Sequence, residues 1–132
     1  MNFLLDANAL IGLCFSEHIH HRSIRVWLTK NPGFAVCPVT EGALVRFIVR
    51  SYPDGPRLSR ETLQVVSQLK GYEFWPDDIS YVTTNLERVA GHKQVTDAYL
   101  VALAIAHGGR LATFDRALTA IHTDTDLIPF AN

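Results

Sequence analysis

The sequence predicts an α/β fold, a three-layer sandwich in which helices cover both faces of a central, mostly parallel sheet. Three short apolar runs indicate the strands, at residues 3–5, 34–37 and 111–114. None of them alternates between apolar and polar residues, which is typical of strands buried on both faces. Helical patterns separate the runs, and strands that alternate with helices form parallel sheets. The 132 residues fit one domain, predicted over residues 1–132.

The first third of the chain supplies one strand and two helices. The strand at residues 3–5 ends at an acidic residue, and residues 8–15 are apolar enough for a short buried helix. Apolar residues at helical spacing within residues 24–28 predict a second, amphipathic helix. This helix is expected to end before the Asn-Pro-Gly loop at residues 31–33.

The middle third begins with the strand at residues 34–37, which Pro38 stops. Thr40 is predicted to be the N-cap of a helix, because its hydroxyl can accept a hydrogen bond from an unpaired backbone N–H. Ser59 is predicted to cap another long helix in the same way, and Gly71 to close it.

The last third predicts a brief strand at residues 72–75 and a short helix near residues 85–90. Thr96 is expected to cap a helix that is apolar nearly all round and therefore belongs in the core or in a subunit interface. The strand at residues 111–114 follows. A short helix then leads to a last strand around residues 127–128.

Composition excludes several classes of protein. Hydrophobic residues make up 48% of the chain and charged residues 19%, which is typical of globular rather than disordered proteins. The longest apolar stretch, residues 98–106, is too short for a bilayer, which takes about 20 residues. No secretory signal precedes Asp6, and Cys14 and Cys37 make no disulfide framework. We therefore expect a cytoplasmic protein that does not bind membranes.

Positive charge is concentrated in one part of the chain. Residues 22–60 hold seven basic and two acidic residues, although the whole chain has a net charge of −1. The near-neutral total argues against non-specific binding to nucleic acids. The uneven distribution leaves two interpretations open: an anionic ligand approaches this side, or the basic residues form solvated helix faces.

Four acidic residues occupy comparable positions in the predicted fold. Asp6 and Asp115 each follow a strand, while Glu41 and Asp97 each follow a threonine at the start of a helix. In a parallel α/β sheet, the carboxyl ends of the strands and the amino ends of the next helices lie at the same edge. We therefore expect all four carboxylates to point to one rim of the sheet.

A divalent cation would make such a cluster stable. Neighbouring carboxylates raise one another's pKa values and destabilise one another in the charged form. Oxygen ligands without paired His or Cys suit Mg²⁺ or Mn²⁺ rather than Zn²⁺. A cation held in this way polarises a phosphodiester and activates water, so the predicted reaction is phosphodiester hydrolysis. Asn8 and Thr113 are positioned to hydrogen-bond the carboxylates or the ion's water molecules.

Four motifs carry a resemblance to a known family. They are LLDANALI near the start, CPVTEGALVR in the middle, VTDAYLVALA later and LATFDRAL near the end. In this order and at these distances the chain resembles a PIN-domain ribonuclease of the VapC toxin type. By that resemblance Asp6, Glu41, Asp97 and Asp115 match the catalytic acidic quartet that binds Mg²⁺ or Mn²⁺. Asn8 matches a polar residue beside the quartet.

The resemblance also implies a biological setting. It implies endonucleolytic cleavage of RNA, a homodimer, and a type II toxin–antitoxin module. In such a module a cognate antitoxin inhibits the toxin, often by placing a basic side chain in the acidic pocket. Arg46 and Arg50, one turn apart on the predicted helix, are then candidates for contacts with RNA or with the antitoxin; a solvated helix face is the alternative.

Other functions remain as alternatives. Each acid taken singly is typical of a helix N-cap or first turn. A non-catalytic binding module of the same fold is a second possibility. A receiver-like signalling domain is a third, but it needs a lysine after the last strand, where this chain has Pro129 and Phe130, and an acidic neighbour for Asp6.

The sequence also holds a histidine cluster. His18, His20 and His21 lack a second group of ligands, so packing beside Trp27 or simple exposure is favoured over a Zn²⁺ site.

Overall fold

Five parallel strands form a single sheet in the computed structural model, which describes residues 2–132; Met1, the first residue of the predicted domain, lies outside this range. The strands are β1 (Phe3–Leu5), β2 (Phe34–Val36), β3 (Tyr72–Phe74), β4 (Arg110–Thr113) and β5 (Thr125–Leu127). They lie in the order β3-β2-β1-β4-β5, and each adjacent pair is parallel. The strand order reverses between β1 and β4, and open α/β sheets bind ligands at such a point.

Six helices cover the two faces of the sheet. They are α1 (Ala7–Cys14), α2 (His21–Lys30), α3 (Pro38–Ser51), α4 (Gly55–Ser67), α5 (Val95–Ala106) and α6 (Arg116–Ile121). None of the helices in residues 2–132 is both long and apolar enough to cross a membrane.

Alternate residues of β1 face opposite layers of the sandwich. Phe3 and Leu5 pack with α1 to α4, whereas Leu4 packs with α5 and α6 on the other face. Because both faces of the central strand are buried, it needs apolar residues at every position, as its sequence indicated. The predicted three-layer α/β fold is confirmed, and its sheet is wholly parallel within residues 2–132.

The predicted N-cap of α3 was wrong. The helix begins at Pro38, with Cys37 as its N-cap, and Thr40 is the third helical residue. Proline suits the first turn, because it has no N–H to leave unpaired and its φ angle is already helical. The hydroxyl of Thr40 accepts a hydrogen bond from the Cys37 N–H at 3.3 Å and so still stabilises this end of the helix.

Two further helix starts differ from the prediction. α4 begins at Gly55, four residues before Ser59, because Pro56 again favours the first turn. α5 begins one residue before Thr96, because a 3-10 turn at His92–Gln94 leads directly into it.

The short helix predicted near residues 85–90 is also wrong, since these residues form a turn. The Asn85 side chain accepts a hydrogen bond from the Glu87 N–H through its oxygen Oδ1, at 3.0 Å. Local hydrogen bonds of this kind compete with helix formation. Gly71 does not close the helix as predicted, because α4 ends at Ser67; it lies in the turn before β3, where its φ angle of 88° favours glycine.

Candidate active site

Asp6 lies at the carboxyl end of β1 and caps α1. Its Oδ1 accepts a hydrogen bond from the Ala9 N–H at 2.9 Å, and its Oδ2 accepts one from the Thr113 hydroxyl. The Asp6 backbone N–H donates to the Ala112 carbonyl at 3.1 Å, which ties the end of β1 to β4. With only 8% of its surface exposed, Asp6 is held by both neighbouring elements.

Thr113 connects Asp6 with Asp115. Its hydroxyl donates to Asp6 and accepts a hydrogen bond from the Asp115 N–H at 3.0 Å. Asp115 caps α6, because its Oδ1 accepts from the Leu118 N–H at 3.1 Å. A single buried hydroxyl therefore fixes the two strand ends that carry these acids relative to each other.

Three of the four predicted acids line one cleft at the β1–β4 switch point. The cleft has a volume of about 150 Å³. Its lining includes Asp6, Asn8, Thr40, Arg46, Asp97 and Asp115. These side chains come from both helical layers, so the cleft opens at the edge of the sheet rather than on one face.

The acids of the cleft repel one another. Burial raises the pKa of Asp6 to about 6; hydrogen bonds from Thr113 and Ala9 oppose this shift, and the charges of Asp97 and Asp115 increase it. Burial also raises the pKa of Asp97, as does Asp115. The carboxylates of the cleft are thus poorly solvated and close to one another, and both effects destabilise their charged forms. A bound cation would relieve this destabilisation.

Glu41 does not line this cleft. Burial raises the pKa of Glu41, and the next cause is the charge of Asp77, an acid that sequence reasoning did not single out. Asp77 lies three residues after the end of β3, and this place near the carboxyl end of a strand is the signal by which it could have been found. The carboxyl edge therefore carries two acidic groups, one at the β1–β4 switch point and one with Glu41 beside β3.

His18 and His20 lie in the connection between α1 and α2, and His21 is the first residue of α2. Packing beside Trp27 or simple exposure was predicted for this cluster; the His20 ring instead stacks on Phe114, with centroids 4.0 Å apart. Nδ1 of His21 lies 2.9 Å from the Gly12 carbonyl oxygen. His122, by contrast, lies near enough to Asp97 to lower its pKa, and nothing in the sequence pattern indicated this.

A larger groove lies away from the acids. It has a volume of about 740 Å³ and is bordered mainly by apolar side chains of α1, α2 and α4. Burial raises the pKa of its Cys14 thiol to about 12, so the thiol is protonated at neutral pH and is not a nucleophile. Of the two, the smaller cleft is the one lined by carboxylates.

The donor set of the cleft fits a hard divalent cation. Its ligand atoms are carboxylate and amide oxygens, without a lining histidine or cysteine. Within residues 2–132 no three acid, histidine or cysteine side chains already converge at metal-ligand distance. This is compatible with Mg²⁺, which keeps several water molecules and uses few protein carboxylates.

The raised pKa of Asp6 predicts how stability changes with pH in metal-free protein. Because the pKa of Asp6 is about 6 in the folded state and ordinarily 3.8, the folded state keeps the Asp6 proton to a higher pH than the unfolded chain does. The contribution of Asp6 to the free energy of unfolding is therefore fully present below about pH 4. It is lost as the pH rises through 6, and the loss amounts to roughly 3 kcal/mol. Denaturant unfolding in EDTA across this range is expected to show the loss in the wild type. The Asp6→Asn protein should lack this part of the loss; parallel curves for the two proteins would contradict the assignment.

A parallel α/β sheet with a carboxylate cleft at its switch point defines a class of protein suited to binding a cation and an anionic substrate together. The PIN-domain family model matches residues 3–123 of the chain. The chain belongs to the PIN-domain family, which confirms the resemblance found in its motifs.

Named relatives cover nearly the whole chain. It is 45% identical to Ribonuclease VapC29 of Mycobacterium tuberculosis, over 97% of this chain and 96% of the relative. It is 38% identical to Ribonuclease VapC39 of the same organism, over 89% and 91%.

Two solved structures share the fold. One is the crystal structure of VapBC2 from Rickettsia felis bound to a DNA fragment from their promoter, with a TM-score of 0.65 and 15% identity over 96% of this chain and 97% of the matched one. The other is PAE2754 from Pyrobaculum aerophilum, with a TM-score of 0.64 and 21% identity over 97% and 84%.

Proposed function

We propose that this protein is an endoribonuclease of the VapC type, the toxin of a type II toxin–antitoxin module. The observation that carries the proposal is the 45% identity to a named ribonuclease over 97% of the chain. The acidic cleft supplies the site for the reaction, because three carboxylates of this chain line it at the switch point of the sheet.

Asp6, Asp97 and Asp115 hold Mg²⁺ or Mn²⁺ in this proposal. When bound, the cation polarises the scissile phosphodiester, promotes attack by water and stabilises the leaving oxygen. Asp6 is fixed by its two hydrogen bonds, so its carboxylate needs little reorganisation to act as a ligand. Asp97 and Asp115 are less buried and provide the more adjustable carboxylates.

The remaining predicted residues support these three. Thr113 orients Asp6 and the Asp115 backbone through one hydroxyl. Asn8 lies exposed in the cleft wall, where its amide can hydrogen-bond a water molecule or a phosphate oxygen. Glu41 is proposed as a fourth acid that acts from beside the cleft, after rotation of its side chain or through a bridging water.

The proposed partners follow from the same relatives. The substrate is RNA, and the inhibitor is a cognate antitoxin that covers the acidic cleft and supplies positive charge to it. A homodimer in the cytoplasm is the proposed assembly and location. Co-expression with the neighbouring antitoxin gene tests the first part, because the pair should copurify and the complex should not cleave RNA.

The direct test is incubation of the purified chain with total bacterial RNA and Mn²⁺ or Mg²⁺. We expect discrete cleavage products that appear with protein concentration and time. Intact RNA under all metal conditions, from a protein shown to be folded, would instead favour the non-catalytic binding module of the same fold.

A further inference from the structure

Arg46 is the one arginine among the residues that line the acidic cleft. It belongs to the same face of α3 as Thr40 and Ala43, which lie six and three residues before it, respectively, and also line the cleft. Both Arg46 and Arg50, one turn further along, are exposed, but Arg50 is not part of the lining. The two arginines that the sequence left equivalent are therefore different in the structure.

No carboxylate within residues 2–132 neutralises Arg46. None lies within the 4.0 Å of an ion pair from its guanidinium, whereas Arg57 pairs with Asp54 and Arg110 with Asp126. Asp6, one of the acids of the cleft, is engaged elsewhere, since both of its oxygens accept hydrogen bonds. A guanidinium beside a negative cleft is thus left with its donors free for an incoming anion.

The Arg46 side chain lies beside Gly42. A Cβ built at residue 42 would lie 3.5 Å from Nη1 of Arg46, so the arginine side chain extends back over Gly42 toward the start of α3. This is the direction in which long helical side chains normally point. It brings the cation toward the sheet edge, where the acids lie.

We infer that Arg46 is a substrate-binding residue that holds an RNA phosphate at the mouth of the acidic cleft. The inference rests on the proposed ribonuclease function. Three carboxylates repel a phosphodiester, and one divalent cation offsets only part of their charge. The planar fork of arginine matches two phosphate oxygens, which lysine matches only as a point charge.

The test compares Arg46→Gln, Arg46→Lys and Arg50→Gln with the wild type, and uses exposed Arg22→Gln as a control remote from the cleft. Binding of a labelled oligouridine is measured at several salt concentrations, and cleavage of total RNA at low and high RNA concentration. Arg46→Gln should weaken binding about ten-fold and lower the slope of log affinity against log salt by about 1, because one phosphate contact is lost. Its cleavage deficit should shrink at high RNA concentration.

Arg46→Lys should retain most of the salt slope, and Arg22→Gln should match the wild type. Arg50→Gln should lose less than Arg46→Gln. The inference about Arg46 would be overturned if Arg46→Gln left the salt slope unchanged, or if it lost no more RNA binding than Arg50→Gln. Cleavage of RNA by the wild type would still support the proposed function in that case. A wild type that neither binds nor cleaves RNA would overturn both.

Discussion

Asp97→Asn is expected to lower RNA cleavage by at least about a hundred-fold, because the change removes a negative metal ligand and keeps its shape. Asp97 lies in the first turn of α5, half-buried and lining the cleft with Asp6 and Asp115. The neutral amide also removes a charge whose burial, together with repulsion from Asp115, raises the pKa of Asp97. The metal-free variant should therefore be at least as stable as the wild type. Initial rates of RNA cleavage and thermal unfolding measure the two effects.

Glu87→Gln is a suitable control for this prediction, because Glu87 is an exposed acid that lines none of the described clefts. It should cleave RNA at the wild-type rate. Retention of cleavage within a few-fold by a folded Asp97→Asn protein would remove this residue from the active site.

Removal of divalent cations is expected to have an effect of similar size. Dialysis against EDTA should lower cleavage by at least about a hundred-fold, because the carboxylates alone repel the phosphodiester and supply no positive charge at the leaving oxygen. Excess Mg²⁺ or Mn²⁺ should restore the rate without refolding, since the sheet and its two cores need no metal.

The matched control is EDTA already saturated with Mg²⁺, which should leave the rate unchanged. Cleavage that persists in metal-free buffer, after the preparation is shown to lack other nucleases, would contradict the metal-dependent mechanism.

The central sheet could be predicted from the sequence because its strands are buried on both faces. Leu4 and Leu111 pack on one side of the sheet and Leu5 and Ala112 on the other, so the strands show as unbroken apolar runs. The edge strand β5 was placed two residues too late. It is short and partly exposed, and its pattern is correspondingly weak.

The direction of the helical acids could not be predicted, because it depends on where each helix begins. α3 begins at Pro38, so Thr40 is its third residue and lines the cleft, while Glu41 is rotated about 100° further round the helix. In α5 the third residue is Asp97, which faces the cleft as expected. The N-cap of α3 lies at Cys37, three residues before the predicted Thr40, and Glu41 faces β3 rather than the switch point.

Some of the contacts within the site could be predicted from the sequence. Thr113, two residues before Asp115 on one strand face, was predicted to hydrogen-bond the carboxylates or the ion's water molecules, and its hydroxyl donates to Asp6. The stacking of His20 on Phe114 joins residues distant in sequence, and no local pattern encodes it.

The central claim is that Asp6, Asp97 and Asp115 together hold one divalent cation. It is tested most directly by adding Mn²⁺ to the isotopically labelled protein and following the loss of backbone amide NMR signals near the paramagnetic ion. At low Mn²⁺, the signals of Ala7, Ala98 and Arg116, each next to one of the three acids, should broaden first, and Asp97→Asn should abolish this effect. Broadening that begins at His18 and His20, or that is equally strong in Asp97→Asn, would contradict the claim.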